Sequence, residues 1–302
     1  MNIFLYIATL ISWGCSWLAI KWQGGLVPVP NSIFYRFALA AIILMAIMIL
    51  FKRLQAANRR DHIFFMLQGG TLFSLNFIAF YTATNYIASG LVAVIMSTAI
   101  LFNAFHNKLF WSVLPRSSFK LGAPVGLVGL VLLFWSDLIS SNWATDTLTG
   151  IGFAFLGTWI FSLGNMVSVR HTRKGITPAT SNAWGMIYGC IILLFIILNS
   201  GDSWVWDSEP RYLMALLYLS IIASIIGFST YLMLVARIGA NSAAYTLVTT
   251  PVVALGLSTL FEGYQWTITG FLGLALILVG NIIILGNIHT KLIRFIPAYN
   301  RS

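Results

Sequence analysis

Apolar runs alternate with short polar gaps along nearly the whole chain. Ten runs stand out: Ile3 to Ile20, Ile33 to Phe51, Ile63 to Thr82, Ser89 to Trp111, Leu121 to Asp137, Gly150 to Val169, Ser181 to Asn199, Tyr212 to Met233, Asn241 to Phe261 and Thr267 to Ile288. Each approaches the roughly 20 residues that a helix needs to cross a hydrocarbon core. The pattern therefore predicts an all-α, polytopic membrane protein with ten transmembrane helices. Gaps as short as 83–88 and 234–240 force neighbouring helices to run antiparallel and side by side. The polar clusters around Asn85 and Arg237 divide runs that hydropathy alone would fuse.

Composition agrees with this reading. Hydrophobic residues make up 59% of the 302 residues, charged residues only 8%, and the mean hydropathy is +0.89. A soluble domain of that make-up would have too little polar surface. The sign of the charges then orients the helices. Of the 17 Lys and Arg residues, 14 fall in every second gap or in the tail: Lys52, Arg53, Arg59, Arg60, Lys108, Arg116, Lys120, Arg170, Arg173, Lys174, Arg237, Lys291, Arg294 and Arg301. The opposite face has Lys21 and Arg211 and six of the seven acids. Basic loops are retained in the cytoplasm, so both termini are expected to be cytoplasmic. Topology and contact with anionic lipid account for the net charge of +10, and no nucleic-acid partner is needed.

The chain also resembles itself. Sliding it by 151 residues aligns Leu91 to Leu130 with Ser242 to Asn281, with identities such as Thr98/Thr249, Phe110/Phe261, Gly122/Gly273 and Gly129/Gly280. Five helices followed by five helices place the second half in the opposite orientation. The expected domains are residues 1–138 and 150–288, two inverted repeats, followed by a short basic tail, 289–302. Such an arrangement suits a transporter with its site between the halves. Two bundles of a membrane-embedded enzyme or receptor are the alternative from a different class.

Short motifs sharpen the choice. Ser12-Trp13-Gly14 with Lys21 ends the first helix, Arg36-Phe37 stands early in the second, and Ala243-Ala244-Tyr245 precedes Thr250-Pro251 in the ninth. Glu262, Gly270 and Gly273 follow. With the ten-helix layout, these motifs resemble the EamA-type members of the drug/metabolite transporter superfamily over essentially the whole chain. The first repeat departs from the pattern: Ile100 stands where its mate has Pro251, and Trp111 where its mate has Glu262. The resemblance implies a secondary transporter that exports small metabolites, commonly amino acids or related compounds, across the bacterial inner (plasma) membrane. A drug exporter of the same fold is a second reading.

Candidate site residues follow from depth and chemistry. Most tryptophans lie at span ends, where indoles anchor to headgroups. Trp13, Trp17 and Trp159 lie deeper and are candidates for stacking on a substrate or for simple packing. Asn76, Asn165, Tyr245 and Thr249 are polar within spans, where each must line a cavity or hydrogen-bond between helices. Tyr81 and Tyr231 are candidate gates at opposite mouths of one pathway. Pro251 is expected to kink its helix or free a carbonyl. Arg36, one turn into the second helix, is a candidate anion contact or a snorkelling cation, and His106 a candidate proton site. With no acid at any helix midpoint, a neutral or zwitterionic small molecule is the favoured substrate.

The glycines of helices five and ten are expected to pack helices within each half, with dimerisation as the other reading, so monomer and homodimer both stay open. Cys15 and Cys190 lie inside spans and are expected to be packing residues. No HExxH or GxSxG motif occurs and the four histidines are scattered, so no catalytic residue, metal or cofactor is expected. The N-terminus lacks a basic stretch before its apolar run and is expected to be the first helix, not a removable signal.

Overall fold

The computed structural model describes residues 2–115, 117–135, 145–201, 203–243 and 245–285, with the side chains of 241, 242, 245 and 285 left aside. The predicted tail and its three basic residues lie outside that set, as do Arg116, Asp137 and Asp202. Among the described residues all regular structure is helical. Seven helices are long and apolar enough to span a membrane: α1 (Asn2–Trp22), α2 (Val29–Leu50), α3 (Arg59–Tyr86), α4 (Ser89–Trp111), α6 (Thr145–Arg173), α7 (Pro178–Ser200) and α8 (Pro210–Ile238). Three shorter apolar helices complete the set: α5 (Phe119–Leu133), α9 (Tyr245–Phe261) and α10 (Ile268–Leu285). Each coincides with a predicted run. α3, α6, α7 and α8 extend past the hydropathy limits, whereas α9 and α10 lie within them.

The caps are readable in residue chemistry. Asn58 and Asp61 exchange bonds with each other's backbone N–H in a capping box that starts α3. Thr177 accepts from the Thr180 amide to start α7, and Pro178 follows at a position where its missing N–H costs nothing. Gly201 and Gly239, at φ 75° and 82°, end α7 and α8 with backbone that side chains other than glycine's rarely adopt.

Helix contacts pair up across the chain. α1 packs on α8 and α9, and α6 packs correspondingly on α3 and α4; α2–α8 has its counterpart in α7–α3. The pairs α2–α7, α4–α9 and α5–α10 join helices five places apart.

Four helices are irregular at mid-length, which hydropathy did not predict. α1 breaks at Cys15, α3 at Phe73 and Ser74, and α4 at Thr98, whereas α8 winds into a π-helix from Tyr218 to Gly227. Beside the breaks, hydroxyls donate to helix carbonyls. Ser97 Oγ donates to Val94 O (2.6 Å), Thr98 Oγ1 to Ile95 O (2.6 Å), Ser16 Oγ to Trp13 O (2.8 Å) and Ser74 Oγ to Gly69 and Gly70 O. α9 runs through Pro251 without a break. The proline's lack of an N–H still leaves the Leu247 carbonyl without its helical donor.

Glu262, beyond the end of α9, caps α4 from outside. Its carboxylate accepts from the Ser89 amide (2.9 Å), from Ser89 Oγ and from Ser258 Oγ (2.8 Å), and Ser258 Oγ takes the Gly90 amide (2.9 Å). One orphan N–H and the positive end of α4 are thus answered by the acid, and a second N–H by the serine that the acid holds. At the basic face, Asp61 of α3 pairs with Arg170 of α6 (2.8 Å).

The glycines of α5 and α10 face each other, so they join the halves and do not pack helices within each half as expected. A Cβ on Gly122 would lie 2.5 Å from Gly280 O, and one on Gly129 2.7 Å from Gly273 O. Gly126 completes a GxxxG with Gly122, yet a Cβ there would meet nothing within 4 Å. Gly129→Ala should therefore cost about 1–3 kcal/mol through overpacking against backbone. Gly126→Ala should be close to neutral. Thermal unfolding of the detergent-solubilised variants distinguishes them, and equal melting temperatures would refute this packing.

Candidate functional site

The irregular segments converge on one cavity. It is lined by Trp13, Ser16, Trp17, Ile20, Arg36, Phe77, Phe80, Met96, Phe161, Phe228, Leu247 and Thr250. Trp13, Trp17 and Ile20 recur at helical spacing, so α1 presents one continuous face to it. The break in α1 falls between Trp13 and Ser16. Those in α3 and α4 fall within a turn of Phe77 and Met96, the π-helix ends at Phe228, and Pro251 follows Thr250. Discontinuous helices at a shared level are how membrane transport folds expose polar backbone to a ligand.

Arg36 is the only charged side chain in this lining. α2 begins at Val29, so Arg36 sits two turns into the helix and is 1% exposed, in contrast to the expected snorkelling. Its Nε donates to Ser224 Oγ (2.9 Å), and its guanidinium carbon lies 4.4 Å from the centre of the Phe77 ring and 4.9 Å from that of Phe37. Nη1 has no hydrogen-bond partner. The π-helix of α8 supplies Ser224, and beside it Ala223 O accepts from Trp13 Nε1 (3.0 Å). The Tyr218 hydroxyl, at its start, donates to Ser12 O (3.1 Å). One π-helical segment thus positions both the indole and the guanidinium.

Two tyrosines flank the cavity. Tyr81, one residue past Phe80, is buried and donates to Gln23 Oε1 (2.8 Å). Tyr231, on the side toward the basic face, is buried against Trp13 and Phe161, with ring centres 4.8 and 5.7 Å away. Both lie against the central lining and not at outer mouths.

The remaining candidates lie elsewhere. Trp159 is 37% exposed and turned away from the cavity, with its ring 4.4 Å from that of His106. Phe161, two residues on, takes the inward position. His106 is buried, and Asn165 belongs to the same polar cluster. Asn103 Oδ1 accepts from Ser162 Oγ (2.8 Å) and from Asn165 Nδ2 (3.2 Å). With the Ser162 proton spent there, the 2.8 Å contact to His106 Nδ1 makes the imidazole the donor. Asn76 is buried beside α6 with neither amide atom partnered. Thr249 bonds the Tyr6 hydroxyl (2.6 Å) and leaves the cavity to Thr250. The Tyr245 side chain lies outside the described residues.

Sequence reasoning missed Phe77, Phe80, Phe161 and Phe228. Phenylalanine inside a span gives no polar signal, and only spacing relative to the breaks could have marked it.

Comparison with known proteins completes the picture. The profile of the EamA-like transporter family matches residues 1–135 and 148–286. The chain is 24% identical over 299 residues to the uncharacterized inner membrane transporter YhbE of Escherichia coli (strain K12), covering 93% of this chain and 89% of that protein. The uncharacterized transporter YdfC of Bacillus subtilis (strain 168) is 24% identical over 189 residues, a match that spans 62% of this chain and only 59% of YdfC's length. A solved crystal structure superposes with a TM-score of 0.70 at 17% identity, covering 94% of this chain and 96% of that one, which shows a shared fold.

The contact between Gly227 and Trp13 offers a direct test of the lining. A Cβ on Gly227 would lie 2.5 Å from Trp13 Nε1. Gly227→Ala should cost about 1–3 kcal/mol by displacing the indole. Trp13→Phe should recover part of that loss, a coupling that thermal unfolding of the two single variants and the double variant measures. Strict additivity would place the indole elsewhere.

Proposed function

The chain belongs to the EamA-like transporter family, and from that membership we propose a secondary transporter that exports amino acids or other small metabolites by alternating access. It is a multi-pass membrane protein; we assign it to the bacterial inner membrane, with the basic face and both termini in the cytoplasm. The observation that carries the reading is the aromatic cavity between the halves, bounded by helices that are broken at its level. The exchange pattern of helix contacts supports two inverted five-helix repeats, since each inter-half pair has its counterpart.

Roles follow from position. Trp13 and Trp17 are the stacking surfaces. Tyr81 and Tyr231 act as the seals on the outer and cytoplasmic sides, held by Gln23 and by the Trp13–Phe161 pair. The Leu247 carbonyl, freed by Pro251, and the Ser16 and Thr250 hydroxyls offer neutral acceptors. Trp159, His106 and Asn165 serve the α4–α6 contact, where sliding would rearrange a hydrogen-bonded cluster.

Counterflow in proteoliposomes preloaded with a mixed pool of amino acids and small organic acids tests this. Wild-type protein should exchange one compound class. Trp17→Ala should slow exchange by about tenfold or more with unchanged reconstitution, the equivalent of losing one stacking contact. Trp159→Ala should stay within about twofold of wild type, because its ring faces away from the cavity. Full activity of Trp17→Ala would remove the cavity from the transport path.

A further inference from the structure

Arg36 poses a charge problem that the transporter reading alone does not solve. A guanidinium keeps its proton in proteins, so burial cannot be relieved by neutralisation. Its surroundings give it the Ser224 hydroxyl, the nearby hydroxyls of Tyr81 and Tyr218 and two aromatic faces, all of them uncharged, and Nη1 lacks a close hydrogen-bond partner. Among the described residues no Asp or Glu lines the cavity. Glu262 is engaged at the start of α4 and Asp61 at the basic face, each with its own partners. An unpaired buried charge is the costliest arrangement a protein interior holds, and a ligand that neutralises it gains in proportion.

Resting on the transporter reading, we propose that Arg36 is a carboxylate hook and that the site selects monoanionic organic acids with an apolar body over zwitterionic amino acids. The argument is one of net charge. A carboxylate on the guanidinium makes a neutral pair inside the closed cavity, with the planar fork suited to bidentate contact. A zwitterion brings its own cation, so the occluded complex keeps one uncompensated positive charge. The Leu247 carbonyl and the Ser16 and Thr250 hydroxyls can satisfy an ammonium group's hydrogen bonds but not its charge. The aromatic lining provides for the apolar body and excludes a small hydrated inorganic anion. The expectation of a neutral or zwitterionic substrate weighed the missing acids and placed Arg36 at the interface; its burial reverses the preference.

Isothermal titration of the purified full-length protein with four probes of one carbon skeleton reads the selectivity directly: 4-methylpentanoate, leucine, 4-methylpentanamide and 4-methylpentylamine. 4-Methylpentanoate should bind about tenfold or more tightly than leucine and the amide, with the amine weakest. Arg36→Gln should weaken the carboxylate by about tenfold or more and leave the amide unchanged. Leucine or the amide binding as well as 4-methylpentanoate overturns the proposal, as does no binding by any probe or undiminished carboxylate affinity in Arg36→Gln. The wild-type series decides even where that variant does not fold. Counterflow of the same probes separates the two readings. Carboxylate binding without exchange keeps the anion site and sinks transport. Exchange of a solute without a carboxylate, unaffected by Arg36→Gln, keeps transport and sinks the anion site.

Discussion

In hydrocarbon no water completes a broken helix, so every carbonyl that loses its helical donor must find another within the protein. This chain breaks helices where they surround its cavity and places hydroxyls beside the carbonyls there. Ser16, Ser74, Ser97 and Thr98 each donate to a carbonyl beside a break. In α9, Thr246 and Thr250 bond back to Ala243 and Thr246 around Pro251. The cavity lining and Arg36 sit among these contacts between side chain and backbone.

That constraint explains what could be read from residues alone. The seven long apolar helices and the three shorter ones were legible because a helix in hydrocarbon must be apolar along its length. The breaks were not. Ser and Thr give the same signal whether they cap a freed carbonyl or bond back within an intact helix, as Thr158 does to Ala154 in the unbroken α6. Arg36 was noticed, yet an arginine near a helix end can reach water or turn inward with the same sequence. Buried, it donates to Ser224, which the π-helix of α8 carries. Trp159 and Phe161 show the same limit: both lie near mid-helix, and which ring faces inward is set by α4 and α8.

The halves use different chemistry at matching positions. Thr98 breaks α4 while Thr249 and Pro251 act in an unbroken α9, and Glu262 caps across the halves where Trp111, its mate, instead lies under the Arg173 guanidinium at 4.0 Å. The α4–α6 contact holds a buried cluster of Asn103, His106, Ser162 and Asn165. At α1–α9, Gly14 instead sits against the side chain of Val253, where a Cβ would come within 2.8 Å. One contact is a buried hydrogen-bonded network with specific geometry, and the other combines close apolar packing with the single Tyr6–Thr249 hydrogen bond. Parting the first leaves more buried polar groups unpaired than parting the second.

The π-helix in α8 ties these features together. It gives Ala223 O to Trp13 and Ser224 Oγ to Arg36, and its first residue, Tyr218, bonds the backbone of α1 just before the break. One turn beyond its end, Tyr231 closes against Trp13 and Phe161. A π-helix forms wider, less favourable turns than an α-helix and persists where other contacts hold it. Here those contacts are the cavity's own aromatic and cationic groups. A shift of α8 toward α-helical winding would therefore withdraw the partners of Trp13 and Arg36 and move Tyr231 in the same step, so the two sides of the lining are coupled through one helix.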